Sequence, residues 1–257
     1  MDNLIDATVA YNLTRQTARH IGYELPTELV DTMTRLDTLA AARFPEPDRD
    51  ALGEALAAAV LDNRDPLDDT TITRHLMAGV LKDSRYGTLL NDHAKRGRAT
   101  ALTNAVPALV KTWKKIVTDA DNTLAAAREQ VPNLDVTDTN TTHNARAWGQ
   151  AREAAATLEQ ITQAWTMVMT ATRHARTEPR TQLLIVADLT AEQLDQLGPH
   201  ATIHTAVNAG HRFTLADADT YRHRCEQVQA QRDEQKRRAA LALEHRTKGR
   251  SLGIANT

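Results

Sequence analysis

The sequence predicts a mainly α-helical chain. Its 257 residues include only 10 Gly and 8 Pro, below the usual shares of roughly 7% and 5%, which argues against turn-rich all-β folds. Apolar residues recur at steps of three and four over long stretches, the period of an amphipathic helix. The expected order is an N-terminal short-helix bundle (1–99), a long antiparallel α-hairpin (100–178), a small C-terminal β-α-β-β element (179–216), and a final helix with its tail (217–257).

Four short amphipathic helices are predicted within the N-terminal bundle. The first ends at Gly22, the second lies between Pro26 and the prolines 45 and 47, and the third stops at residues 63–66. Proline cannot continue the helical hydrogen-bond ladder, so these positions separate the helices. The residues expected to face inward are, helix by helix, Ile5, Val9, Leu13 and Ile21; Leu29, Met33, Leu36 and Ala40; Leu52, Ala55, Leu56, Ala59 and Val60; and Ile72, Leu76, Val80 and Leu81.

Two long apolar seams follow. The first runs from residue 102 to residue 131 and ends before Pro132, and the second runs from residue 148 to residue 172. Each predicted helix has about 32 residues and a length on the order of 48 Å. Because a polar loop at 132–142 joins arms of equal length, we expect an antiparallel hairpin with Trp113 and Trp165 packed in its core.

The stretch after Pro179 has a different pattern. Residues 183–187 (LLIVA) form an apolar run that is too short for a helix, and residues 202–207 alternate between the two faces of a predicted strand. Thr190 and Gln193 match a capping box for a short helix between them. Residues 208–210 (NAG) resemble a hairpin turn into a third strand at 212–215. These features predict the β-α-β-β element.

No segment matches a known catalytic, cofactor or metal site, so we expect no enzyme, no cofactor and no bound metal. Phosphate-binding glycine loops and the serine nucleophile elbow are missing in their common forms. On the predicted strand, His200 and His204 would lie about 13 Å apart, too far to share one ion. Asp188, Asp217 and Asp219 are interpreted as residues at strand and helix ends rather than as a carboxylate cluster.

The composition also restricts location and partners. No apolar run approaches the roughly 20 residues of a membrane span, and the first residues lack a signal-peptide pattern, so we expect a cytoplasmic or virion protein without membrane contact. The formal charge of -2 gives no general attraction to nucleic acid, which is not an expected partner. The 24 Arg against 7 Lys, together with 42 Ala, are typical of a GC-rich genome.

The last helix is the best sequence candidate for a docking site. Its apolar stripe is weak, and residues 229–238 (QAQRDEQKRR) are almost wholly polar, which is typical of a helix that is solvated or held by a partner. Residues 217–257 carry nine Lys or Arg against six Asp or Glu, whereas residues 1–99 carry twelve against sixteen. The predicted partner-binding residues are Val228, Arg232, Lys236, Arg237, Arg238, Leu241 and Leu243.

These observations favour a non-catalytic structural or assembly protein that acts through protein–protein contacts, with copies of itself or capsid proteins as partners. Within this class, a phage virion or head-assembly component from a GC-rich host ranks first. A DNA-associated regulatory protein and an enzyme of unrecognised type are the alternatives. The basic run at 93–98 (HAKRGR) supports DNA binding only through a loose helix-turn-helix outline.

The contributions of apolar and charged side chains of the last helix to docking can be compared by substitution. We expect Leu241→Ala and Leu243→Ala to weaken assembly more than Arg237→Ala and Arg238→Ala, because exposed ion pairs contribute only about 0 to 1 kcal/mol. Sedimentation at physiological salt compares the four variants. The reverse order, with affinity falling by roughly 0.9 log units per phosphate for each tenfold rise in salt, would indicate nucleic-acid binding.

Overall fold

A computed structural model describes residues 6–42, 46, 48–83, 86–138 and 144–253, with side chains for all of these except 83 and 243–253. Within these residues the structure contains helices and no strand, which confirms the mainly-α class. Two short 3₁₀ helices occupy Pro66–Asp68 and Pro179–Ile185. The α-helices are α1 (Ala7–Ile21), α2 (Thr27–Ala41), α3 (Arg49–Leu61), α4 (Thr70–Asp83), α5 (Tyr86–Gln130), α6 (Ala145–Ala171), α7 (Ala191–Leu197), α8 (Ile203–Asn208) and α9 (Ala218–Gly253).

The chain forms two compact units. One comprises Pro26–Asn104, and the other combines Met1–Leu25 with Ala105–Thr257. In the first unit, α2 buries Leu29 and Met33 and packs on the beginning of α5. Gly97 permits this approach, since a Cβ atom there would lie 2.7 Å from Leu36 Cδ2. Arg98 strengthens the same contact through a 2.8 Å ion pair with Asp37.

Helices α5 and α6 form the framework of the second unit. Asn144, at the start of α6, donates a hydrogen bond to the carbonyl oxygen of Gln130, the last residue of α5. Further from this loop, Val110 of α5 and Met169 of α6 line the same groove. These two contacts show that the helices run antiparallel. The arms are unequal, however, because α5 has 45 residues and starts well before residue 100, whereas α6 has 27.

The two tryptophans predicted for the hairpin core are fully buried. Trp113 donates a 2.7 Å hydrogen bond to the hydroxyl of Tyr23, and burial raises the pKa of that tyrosine to about 12. Trp165 donates to the carbonyl oxygen of Ala216, just before α9. Each indole therefore fixes a segment from another part of the chain to the hairpin.

Helix α1 packs along α6, although the sequence grouped it with the three helices that follow. Its buried residues are small or polar and include Ala10, Thr14 and Ala18, whereas Val9 of the predicted stripe is 51% exposed. The predicted inner stripe is therefore wrong at Val9, and Ile5 lies outside the described residues. Small side chains on α1 face a helix that buries five alanines of its own, so the two axes can approach closely.

The predicted β-α-β-β element is wrong. The first predicted strand lies largely in the 3₁₀ helix Pro179–Ile185, and the second forms α8. Ile203 and Val207 alternate as in a strand, but they are also one helical turn apart and are both buried on α8. Reciprocal hydrogen bonds between Thr202 and Thr205 cap this helix and decide between the two patterns.

The predicted hairpin turn at 208–210 is instead the end of α8. Gly210 adopts φ of +80°, and the next residue, His211, donates a backbone hydrogen bond to Ala206. This is the usual left-handed termination of a helix. The third predicted strand is an extended segment that makes two backbone bonds, from Thr214 and Ala216, to residues in and just after the 3₁₀ helix.

Charged side chains provide much of the hydrogen bonding that a sheet would have provided. Arg224 of α9, only 6% exposed, donates to the carbonyl oxygens of Leu184 and Thr214. Arg128 of α5 donates to the carbonyl oxygens of Val207 and His211. Burial lowers the pKa of both arginines, so their solvation is partly lost in exchange for these bonds.

Asp121 fixes the same segment to α5 from another side. Its side chain, 7% exposed, accepts hydrogen bonds from the guanidinium of Arg212 and from the backbone N–H of Phe213, each at 2.8 Å. The carboxylate thus binds one side chain and one main-chain donor of the extended segment.

We expect Asp121→Ala to lower the free energy of unfolding by about 2 to 3 kcal/mol, because it leaves the buried N–H of Phe213 without its acceptor. The matched control is Asp119→Ala, an exposed position on the same helix, where the change should stay within about 0.5 kcal/mol. Urea denaturation compares the two variants. Equal losses would mean that Asp121 does not anchor the segment.

Asp217 gives a pH-dependent contribution to stability. Hydrogen bonds from the hydroxyl and N–H of Thr220, with Lys114 Nζ 3.0 Å away, lower the pKa of Asp217 from 3.8 to about 2. A lowered carboxyl pKa stabilises the folded state above the unfolded value, and this stabilisation disappears as the pH falls through the folded value. The stability difference between wild type and Asp217→Asn should therefore be present at about pH 6 and vanish near pH 2 in urea denaturation. A difference that is constant with pH would contradict this.

Candidate functional site

Helices α3 and α4 form an antiparallel pair in the first unit. Asp48 caps α3, and Asp69 accepts hydrogen bonds from the first N–H groups of α4. The link between the helices spans residues 62–69 and contains the 3₁₀ helix Pro66–Asp68. At the other end, Glu46 and Lys82 form a 2.8 Å ion pair. These contacts define which face of each helix is turned outward.

The outward face of this pair is apolar. Leu56 and Val60 on α3 are 36% and 69% exposed, and Leu76, Met77 and Val80 on α4 are 42%, 55% and 59% exposed. The sequence predicted all of these except Met77 to face inward, and that prediction is wrong. Along a helix, each step of four residues rotates the direction of the side chain by about 40° around the helix axis. A ridge that begins in the core therefore moves outward, as from Ile72, fully buried, through Leu76 to Val80.

Small or polar side chains lie beside the exposed ridges of this face, and Arg49, seven residues before Leu56, lies at its edge. In an antiparallel pair, the two step-of-four ridges turn toward the same side, so both contribute to one face, with Val60 and Val80 toward its opposite ends. Gly53 and Ala57 lie beside the α3 ridge, and Thr73 lies beside the α4 ridge, all three exposed. We call this surface the α3–α4 face; its residues are Gly53, Leu56, Ala57, Val60, Thr73, Leu76, Met77 and Val80. Depletion of charge around exposed aliphatic side chains is typical of the core of a protein interface.

The predicted docking residues of α9 separate into several environments. Val228 is 3% exposed and packs inside the second unit, so it is not available to a partner. Arg237 and Arg238 both pair with Glu234 on the same helix. Leu241 is 50% exposed, whereas the side chain of Leu243 lies outside those that the structure describes.

The remaining two predicted residues, Arg232 and Lys236, line a groove of about 590 Å³. Arg232 forms a 3.0 Å ion pair with Asp195 of α7, and Lys236 is 76% exposed. Arg180, on the 3₁₀ helix before α7, adds a third cation. We call this the basic groove; it is lined by Pro179, Arg180, Leu183, Leu194, Asp195, Gly198, Pro199, Ala201, Gln229, Arg232 and Lys236.

Sequence reasoning found two of the three cations of the basic groove and missed Arg180. Arg232 and Lys236 are four residues apart on one helix, so their common face can be predicted from spacing. Arg180 lies in a segment that was predicted to lead into a strand. Nothing in its local sequence connects it with α9, and only the packing of the 3₁₀ helix on α9 places it there.

Reactive side chains do not converge in the described part of the chain. No group of three or more His, Cys, Asp or Glu residues there could hold a metal ion. His204 lies on α8 with its Nδ1 3.9 Å from Glu159 Oε1, and Asp188 lies 3.9 Å from Arg224. Cys225 is half-buried, and its burial raises the pKa of the thiol, which disfavours the nucleophilic thiolate.

Two further observations concern the chain as a whole. Among the described helices, none is both long and apolar enough to cross a membrane. No protein-family model, curated protein or solved structure matches the chain significantly. The α3–α4 face and the basic groove are the two candidate functional surfaces of the chain.

Proposed function

We propose that this protein is a non-catalytic assembly protein that associates with copies of itself through the α3–α4 face. The observation that carries the proposal is the exposure of five large aliphatic side chains on one face. Together they expose apolar area on the order of 400 Å², and patches of this size on soluble proteins often mark interaction sites.

A second copy is the partner that best fits this face. The exposed side chains of the face are mostly apolar, and its two ridges are complementary to an identical pair of ridges. Two α3–α4 pairs related by a two-fold axis would form a four-helix bundle, in which each ridge lies in the groove of the other copy. The area is below the roughly 800 Å² per partner of a standard interface, so we expect reversible association in the micromolar range.

More specifically, we propose a virion or head-assembly component of a phage with a GC-rich host. The Arg- and Ala-rich composition supports the host, and reversible self-association is the behaviour that such an assembly requires. The α9 cations give less support to DNA binding, since Arg237 and Arg238 share Glu234.

The double variant Val60→Asp/Val80→Asp tests the proposed contact. Two carboxylates toward opposite ends of the buried interface would lose their hydration without gaining partners, so we expect the association constant to fall at least tenfold. Sedimentation equilibrium of the full chain over a wide concentration range measures this effect.

The matched control is Ala58→Asp, an exposed position on the other side of α3. It adds one carboxylate outside the α3–α4 face, against two in the double variant, and should leave association unchanged. A wild-type chain that stays monomeric to roughly millimolar concentration would contradict self-association. Equal effects of the control and the double variant would move the contact away from this face.

A further inference from the structure

The basic groove has the chemistry of a site for an acidic segment that carries an apolar side chain. Its walls include Leu183 and Leu194, each 5% exposed, together with prolines at 179 and 199. Three cations, Arg180, Arg232 and Lys236, line the same groove. Asp195 is the single carboxylate among the lining residues and already pairs with Arg232. Lys236 also lies 3.7 Å from Asp233 on the same helix. The lining residues still carry three cations against one carboxylate, beside an apolar wall.

The link between α3 and α4 has the complementary chemistry. Residues 62–69 (DNRDPLDD) contain four aspartates and one arginine. Within this acidic turn, Leu67 is 74% exposed. Arg64 pairs with Asp62 and Asp69, while Asp65 accepts a hydrogen bond from the N–H of Leu67. Asp68, which is also exposed, supplies an outward carboxylate next to that leucine.

The acidic turn is also held in a defined shape. Pro66 opens a 3₁₀ helix, Asp65 caps it, and Asn63 adopts a φ of +50°. Hydrogen bonds from the N–H groups of Thr71 and Ile72 lower the pKa of Asp69, which keeps this carboxylate charged. A turn that is already ordered loses less conformational entropy when it binds than a flexible segment would.

We propose that the basic groove of one copy binds the acidic turn of another copy, with Leu67 against the apolar wall and Asp68 beside Arg180 and Lys236. The inference rests on the proposed assembly function and adds a second contact to it. An isologous contact through the α3–α4 face closes after two copies, whereas a heterologous contact between different surfaces can extend an assembly further.

An acidic protein segment fits the groove better than nucleic acid does. A phosphate backbone would satisfy the cations but would leave the exposed Pro179 and Pro199 uncovered. Asp68 of the acidic turn can pair with Arg180 while Leu67 covers these two prolines. Both halves of the groove are then occupied.

Site-directed cross-linking between two different full-length chains tests this contact. Cys225 is first replaced by alanine in both chains. One chain then carries Thr70→Cys, an exposed position next to the acidic turn, and the other carries Gln229→Cys, which lines the basic groove. After oxidation of the mixture, we expect a covalent heterodimer on a denaturing gel.

The matched control replaces Gln229→Cys by Gln227→Cys, the same substitution on an exposed residue of α9 that does not line the groove. It should give at least fivefold less heterodimer. Adding Arg180→Glu to the groove chain should lower the yield at least fivefold, and Asp68→Lys in the turn chain should restore much of it. Circular dichroism checks that each variant folds and melts like its parent.

Three results would overturn the proposal. The first is an equal yield of heterodimer from Gln229→Cys and Gln227→Cys, and the second is no heterodimer with any pair. The third is loss of the heterodimer when a short DNA duplex is added but not when polyglutamate is added. The third would assign the groove to nucleic acid. Failure of the α3–α4 contact is read separately, since Val60→Asp/Val80→Asp should leave this cross-link unchanged. If the cross-link persists while the chain does not associate through the α3–α4 face, the groove contact stands and the α3–α4 contact is rejected.

Discussion

Buried charged side chains that bind main-chain groups hold the second unit together. The segment between α6 and α9 is buried yet has no sheet and only short helices, so many of its N–H and carbonyl groups need partners from elsewhere. Arg224, Arg128 and Asp121 provide them through bonds to five residues of the segment. The Nε atoms of both arginines are left buried without a hydrogen-bond partner. Burial of these two Nε atoms costs solvation free energy, and the same side chains hold the irregular segment in place.

The segment between α6 and α9 is one of several elements that cover α6. Eleven residues of α6 are buried, among them Leu158, Ile161 and Trp165. Helix α1 covers one side through small side chains, and α8 together with the 3₁₀ helix Pro179–Ile185 covers another. Short helices pack on the surface of α6 that α1 leaves open, and the hydrogen bonds from Arg224, Arg128 and Asp121 hold the segment there. The basic groove is one result, because the 3₁₀ helix and α7 stand beside α9 with Arg180 and Asp195 at their edges.

The two surfaces offer different kinds of contact from one chain. The α3–α4 face is mostly apolar, so association there depends on apolar area and responds weakly to salt. The basic groove and the acidic turn depend on charge, so their contact should weaken as ionic strength rises. The sequence predicted a docking arm on α9 and located Arg232 and Lys236. It did not predict the α3–α4 face, because apolar periodicity alone does not distinguish a buried ridge from an exposed one.

The sequence by itself determined the helical class and the long helices, because the step of three and four is a local property that persists over many turns. It could not determine the short elements after Pro179, since Ile203 and Val207 satisfy a strand pattern and a helix pattern equally well. Capping by Thr202 and the left-handed termination at Gly210 resolved that ambiguity. Tertiary structure alone decided which ridges are buried and which cations meet. Those outcomes depend on neighbours far along the chain, as when Arg180 meets Arg232 across the basic groove.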